Sequence, residues 1–168
     1  MRNAWIIAFA ALVLAACGPG GVAGGAGARE NACALVPAPE SIFGRGAVAE
    51  DDGVITKMAG SCRFAAADAR RTGDLIVYTA GSVGGTQALA ARYAEVAAEW
   101  RKMTATPLAP LPEIGAQAQL AVDLPGYQTQ ILFLNGDRLV LIMGGSGDPK
   151  MSGEAIARAM AKAVAAAP

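Results

Sequence analysis

Few residues in this chain could do chemistry. Histidine is absent, and the cysteines are Cys17, Cys33 and Cys62. Without an imidazole, the Ser-His-Asp and Cys-His forms of nucleophilic catalysis are unavailable. Ser82 lies in Ala80-Gly81-Ser82-Val83-Gly84, between an expected strand and an expected helix, where a nucleophile elbow would lie. Alanine stands where that motif has its first glycine, and no base accompanies the serine. Gly81, Gly84, Gly85 and Thr86 open the helix, and exposed N–H groups there form a candidate anion-binding loop. The loop lacks both the Gly-Lys-Ser/Thr ending of a phosphate loop and the GxGxxG of a dinucleotide loop. A turn that needs glycine is the plainer reading, and residues 144–147 are read the same way. Glu50, Asp51 and Asp52 offer carboxylates to calcium but not the alternating oxygens of an EF-hand; a solvated acidic turn fits them better. Arg70 and Arg71 would add only about 2 kcal/mol against anionic headgroups, and read as a polar hairpin tip.

Cys33 and Cys62 form an even pair. In an oxidising compartment such a pair reads as a disulfide, contributing about 3–4 kcal/mol in the chain-entropy model. It would pin the start of the domain to an early strand. The alternatives are weaker: two thiolates without histidine do not make a zinc site, and the spacing is not Cys-x-x-Cys. No metal and no cofactor is expected. Fourteen basic against 14 acidic residues leave net charge +0, which gives no basis for a nucleic-acid partner.

The third cysteine has a different setting. Met1-Arg2-Asn3 is a positively charged start, and Ala4 to Ala16 run without a charged or hydrogen-bonding aliphatic side chain. The run is too short to cross a hydrocarbon core of about 30 Å, which needs roughly 20 helical residues. It fits the apolar region of a secretory signal. It ends in Leu14-Ala15-Ala16-Cys17, which resembles the bacterial lipobox. That resemblance implies cleavage before Cys17, a diacylglycerol on its sulfur and an acyl chain on its new amino group. Two such chains hold a protein stably on a bilayer. An ordinary signal peptide with an incidental cysteine is the alternative. Gly18 stands where an aspartate would resemble an inner-membrane retention signal. The expected location is the cell envelope, and the outer membrane facing the periplasm if the organism is Gram-negative.

These features divide the chain into a signal peptide (1–16), a lipidated cysteine and glycine-rich tether (17–32) and one globular domain (33–168). A glycine-rich tether of that length spans on the order of 20 Å root mean square. The chain is 54% apolar with mean hydropathy +0.37. Much of that excess is alanine and signal run, and the remainder is the supply of one small core.

The elements that must position these residues follow from periodicity. Pro37 to Phe43 suits a short helix stopped at Gly44. Val48, residues 54–58 and residues 61–66 are strand candidates, with 68–73 as a turn and 74–80 as a clearer strand. Leu89, Tyr93, Val96, Trp100 and Met103 make one stripe on a helix from Thr86 to Met103. Pro107, Pro110 and Pro112 make 104–113 an extended connection. Residues 116–123 alternate as a half-buried strand. Asn135-Gly136 between apolar runs signals a hairpin of 127–134 and 137–143, expected to be central in the sheet. Ser152 suits an N-cap for a last helix whose buried stripe is Ile156, Met160 and Val164.

The order predicts an α+β fold: an antiparallel sheet of about five to six strands, packed by a long middle helix and a C-terminal helix. With the lipidated cysteine and tether, Cys-Ala-Leu-Val-Pro (33–37), Ser-Cys-Arg-Phe (61–64), Arg92-Tyr93, Leu-Pro-Glu-Ile-Gly-Ala-Gln-Ala (111–118) and the Asn-Gly-Asp hairpin, it resembles small secreted bacterial lipoproteins with a PsbP-like sandwich. That family is mostly of unknown function, so the resemblance implies fold and address rather than chemistry. The functional expectation is a lipid-anchored, non-catalytic envelope lipoprotein acting as a binding or accessory module. Its expected partners are membrane lipid through Cys17 and an envelope protein or small apolar ligand. A hydrophobic-ligand carrier is the alternative, and a hydrolase using Ser82 or carboxylates the weaker one.

Overall fold

A computed structural model describes residues 30–51, 58–124 and 127–168. The signal run, Cys17, most of the tether, Asp52 and most of the strand candidate 54–58 lie outside these residues; the last three tether positions, 30–32, belong instead to the domain, where Ala32 is buried and Glu30 pairs with Arg138. Among the described residues, the chain begins with a 3-10 turn at Ala32–Leu35 and α1 at Glu40–Phe43. Strands β1 (Val48–Glu50), β2 (Ala59–Ala65) and β3 (Arg71–Thr79) follow. Next come α2 (Ala80–Val83) and α3 (Thr86–Met103). The chain closes with β4 (Ala109–Pro110), β5 (Gln119–Leu124), β6 (Tyr127–Asn135), β7 (Arg138–Ser146) and α4 (Gly153–Ala166).

The strands form one antiparallel sheet of 7 strands in the order β1-β2-β3-β7-β6-β5-β4. The fold is α+β, with more strands than the five to six expected. One of the additions is β4, inside the proline-rich connection: Ala109 and Pro110 register against Leu120 and Gln119 of β5. Proline is tolerated there because β4 is a sheet edge. Chain order and sheet order part company after β3, where α2 and α3 carry the chain across one face to the far edge. The β6–β7 hairpin returns it to lie beside β3.

Strand parity sorts the core into two layers. On one face Phe64, Leu75, Val77, Ile131, Phe133, Val140 and Ile142 pack against Ile156, Met160 and Val164 of α4, with α1 and the 3-10 turn beside them. The expected α4 stripe is fully buried, and the Ser152 hydroxyl accepts from the Ala155 N–H at 3.1 Å as its N-cap. On the other face Tyr78, Leu132 and Leu139 pack under Leu89, Ala97 and Trp100 of α3. The α3 stripe departs from expectation at its end. Met103 is 43% exposed, because the last turn runs past the apolar surface that Trp100 still covers.

Four local expectations are corrected. The turn expected at 68–73 is shorter, and β3 already begins at Arg71. Thr72 pairs with Ala65 on one side and Gly145 on the other, and a Cβ on Gly73 would lie 2.3 Å from the Met160 sulfur. A strand glycine here makes room for α4. The strand expected to be half-buried, β5, is covered on both sides: Leu120 faces the α4 layer and Ala121 the α3 layer. The hairpin turn is displaced by a residue, since Asn135 pairs with Arg138 and leaves Gly136 and Asp137 at the corner. Only Gly136 takes positive φ, 61°, the pattern of a type II′ rather than a type I′ turn.

The last correction concerns 144–147. Instead of a loop, β7 runs on to Ser146. A Cβ on Gly144 would lie 2.1 Å from the Gly153 carbonyl oxygen and 3.0 Å from the Ala157 Cβ. Glycine stands there because the first turn of α4 rests directly on the strand backbone.

Candidate functional site

The described surface carries an open groove of about 410 Å³ where α3 ends against the far edge of the sheet. It is built by helix termination. At Thr104 the backbone turns extended, while its N–H and its hydroxyl both donate to the Trp100 carbonyl. Pro107 and Pro110 keep the departing chain from resuming a helix, and Leu108 packs back toward Trp100 in the α3 layer. The chain then enters β4, so the groove is walled by the last helical turn on one side and by Pro110 and Gln119 on the other.

Arg101 is the charged group in this lining. Its Nη2 donates to the Gln119 Oε1 at 3.4 Å, and it sits where cations offset the negative end of a helix dipole. The neighbouring Lys102 is engaged with Glu99 at 2.7 Å. Beneath them Tyr93 donates its phenol hydrogen to the Gln117 carbonyl. Burial pushes the Tyr93 hydroxyl above its ordinary value, with Arg101 pulling weakly the other way. The groove thus offers one guanidinium, the Thr106 hydroxyl, an amide and an apolar floor of Pro107, Leu108 and Pro110. No carboxylate or thiol is among its described lining. None of these described lining groups is suited to proton transfer at neutral pH.

Those residues singled out from sequence that the structure describes lie elsewhere and are not brought together with it. Ser82 is inside α2, and its hydroxyl is committed to a capping box. It accepts from the Thr79 N–H at 3.1 Å and donates to the Thr79 carbonyl at 2.9 Å, while the Thr79 hydroxyl accepts from the Ser82 N–H. That short helix replaces the expected plain loop. Gly84 closes it with φ 97°, and Gly85 starts α3 with φ 113°. Gly84 and Gly85 therefore join α2, which contains Gly81, to α3, which begins at Thr86. The Gly85 N–H is already taken by the Ala80 carbonyl at 2.7 Å.

Arg70 is exposed at the β2–β3 turn, but Arg71 is not a second tip residue. It reaches the Ile42 carbonyl at 3.5 Å and faces the Asp148 carboxylate at 3.8 Å. Glu50 and Asp51 are exposed, and no cluster of three or more metal-ligating side chains occurs among the described residues. Cys33 and Cys62 form the expected disulfide, joining the 3-10 turn to β2. Arg101, Thr106 and Gln119 were not singled out from sequence. The available signal was a basic last turn followed by threonines and spaced prolines, and it shows where a helix stops without showing what lies opposite.

No protein family, no curated protein and no solved structure matches this chain.

Proposed function

We propose that this chain is a lipid-anchored accessory module of the bacterial cell envelope, held through Cys17, whose domain binds a partner rather than turning over a substrate. The observation that carries the reading is Leu14-Ala15-Ala16-Cys17 at the end of an apolar run with a basic start. Part of the same proposal is a PsbP-like sandwich. Its support is an antiparallel sheet with α3 on one face and α4 on the other.

Binding is favoured over catalysis by the groove lining and by the commitment of the Ser82 hydroxyl to its cap. A protein partner is favoured over an enclosed apolar ligand. Leu89, Ala97 and Trp100 fill the layer between α3 and the sheet, whereas the groove is open and carries Arg101. An extended peptide segment, with its carbonyls toward Arg101 and its apolar side chains on Pro107 and Leu108, is the occupant that this lining suits.

Metabolic labelling with palmitate tests the anchor. Label is expected on the wild-type chain and absent from Cys17→Ala; equal labelling of the two would overturn it. A turnover screen of the same chain against ester and glycoside substrates, with Ser82→Ala alongside, tests the class. Activity lost in that variant would replace the binding reading by an enzymatic one.

A further inference from the structure

We infer that residues 30–36 form a strap locked onto the sheet by the Cys33–Cys62 disulfide, and that a dithiol reductant releases it, uncovering Cys62 and its neighbours on β2 while the rest of the domain stays folded.

The strap has no backbone hydrogen bond to the sheet among the described residues. Its bonds are its own: the Ala34 N–H donates to the Asn31 carbonyl at 3.1 Å, and the Val36 N–H to the Cys33 carbonyl at 3.4 Å. Side chains seat it instead. Ala32, Leu35 and Val36 are buried in the α4 layer, against β2 and β3. The Glu30 carboxylate meets the Arg138 Nε at 2.9 Å. A Cβ on Gly60 would lie 2.1 Å from the Glu30 carbonyl oxygen, so a strand glycine admits the strap backbone. The disulfide adds a covalent tie to β2.

The downstream end of the strap is a hinge. Pro37 and Ala38 are exposed, and α1 beyond them has its own hold. Phe43 stacks on Phe64 with ring centroids 5.9 Å apart, and the Ile42 carbonyl accepts from Arg71 at 3.5 Å. The ladder of the sheet runs from β1 to β4 without the strap. Release therefore leaves α1 and every strand pairing in place.

Cutting the bond shifts the balance toward release. Docking fixes the backbone of each strap residue, and that loss of entropy opposes it at every position. Three apolar side chains and one ion pair act in its favour. The cross-link removes much of the opposing entropy in advance, since the strap cannot wander from β2. Segments with few backbone bonds to their surroundings are the ones that open locally. What opens is the α4-side surface at Cys62, which shares its face with Gly60 and with Val77 of β3.

The chemistry is thiol–disulfide exchange. Cys33 is half-buried and Cys62 is 1% exposed, so a reductant thiolate meets the Cys33 sulfur first. It forms a mixed disulfide there, and Cys62 leaves as a thiolate that takes up a proton. The second thiol of the reductant then displaces Cys33, which also leaves as a thiol. The protein gains two electrons and two protons, and the dithiol ends as a disulfide.

The test uses the full chain, oxidised or reduced with dithiothreitol that is then removed, in buffer without urea. N-ethylmaleimide labelling is read on the Cys62 peptide by mass spectrometry, beside hydrogen exchange. In the reduced chain Cys62 is expected to label within about tenfold of its rate in concentrated urea. The Ala34 and Val36 amides should exchange faster than in the oxidised chain, and the Ile131, Val140 and Met160 amides should keep their protection. Slower labelling of Cys62 overturns the inference, because the strap then stays seated without its bond. Loss of protection at 131, 140 and 160 along with the strap also overturns it, because the bond then supports the whole fold. Cys33→Ser removes the bond without a reductant and should label Cys62 just as readily; a protected Cys62 in that variant would count against release in the same way.

Discussion

The packing of Gly144 against α4 makes the sharpest prediction. In Gly144→Ala the new Cβ would lie 2.1 Å from the Gly153 carbonyl oxygen and 3.0 Å from the Ala157 Cβ. Carbon and carbonyl oxygen tolerate about 3.3 Å, so the first turn of α4 must retreat by about 1 Å. The opposing atom is backbone, and no rotamer change can relieve it. Overpacking of this kind costs about 1–3 kcal/mol. A radial gap of about 1 Å also forfeits up to half of the dispersion well for the side chains that α4 seats on the sheet. Ile156 and Ala157, both fully buried, are the nearest of these. Together the two effects amount to about 3–4 kcal/mol. At roughly 2–8 °C per kcal/mol for domains of this size range, the melting temperature should fall by about 6 °C or more. The assay is urea denaturation of the chain from residue 30 onward, followed by fluorescence. Trp100 is then the sole tryptophan and reports from the opposite layer. Gly147→Ala is the control: its Cβ would meet only the Arg70 carbonyl at 3.8 Å, so a change within about 0.5 kcal/mol is expected. A Gly144→Ala chain within about 1 kcal/mol of wild type would refute the reasoning and restore 144–147 as an adaptable loop.

Reducing the Cys33–Cys62 disulfide, or replacing both cysteines by alanine, should cost about 3–4 kcal/mol in the same assay, and dithiothreitol should then have no further effect on the double variant. Ser82→Ala removes half of the α2 capping box and should cost about 1 kcal/mol, read as a shift of the urea midpoint at unchanged slope. Tyr93 is held protonated by burial, above its ordinary value of 10.0. The stability this reflects is fully present below the unfolded value and is lost as pH rises through the folded one. Absorbance at 295 nm should therefore show one tyrosine ionising late, a step absent in Tyr93→Phe and later still in Arg101→Gln.

Much of the architecture was readable as local pattern. The 86–103 helix came from the spacing of Leu89, Tyr93, Val96 and Trp100, and the last helix from Ile156, Met160 and Val164 behind the Ser152 cap. The β6–β7 hairpin came from Asn135-Gly136 between apolar runs. These signals are carried within one or two turns or across one corner, so neighbouring residues suffice to state them. The misreadings share a cause. Gly73 and Gly144 look like loop formers, yet they are strand residues whose missing Cβ admits a helix from elsewhere in the chain. Pro110 looks like a strand breaker, yet it closes a sheet edge where no donor is needed. Arg71 looks like a solvated tip, yet it bridges toward α1 and Asp148.

The same division holds for the candidate site. The proposed anchor rests on Leu14-Ala15-Ala16-Cys17, four contiguous residues that can be read without a fold. The pairing of Cys33 with Cys62 could be expected once Cys17 was set aside, and the disulfide is formed. The groove is different. Arg101 and Thr106 flank a helix end, while Gln119 comes from a strand beyond a proline-rich connection, and they meet only because β4 docks on β5. The seat of Glu30 depends likewise on Gly60 and Arg138, which are remote in sequence and adjacent only once β2, β3 and β7 are in register. Sequence by itself determined the segments and most of their faces, since those depend on neighbours along the chain. Tertiary structure alone decided the glycine contacts, the groove and the seat of Glu30 on β2, since those depend on which distant backbones can approach one another.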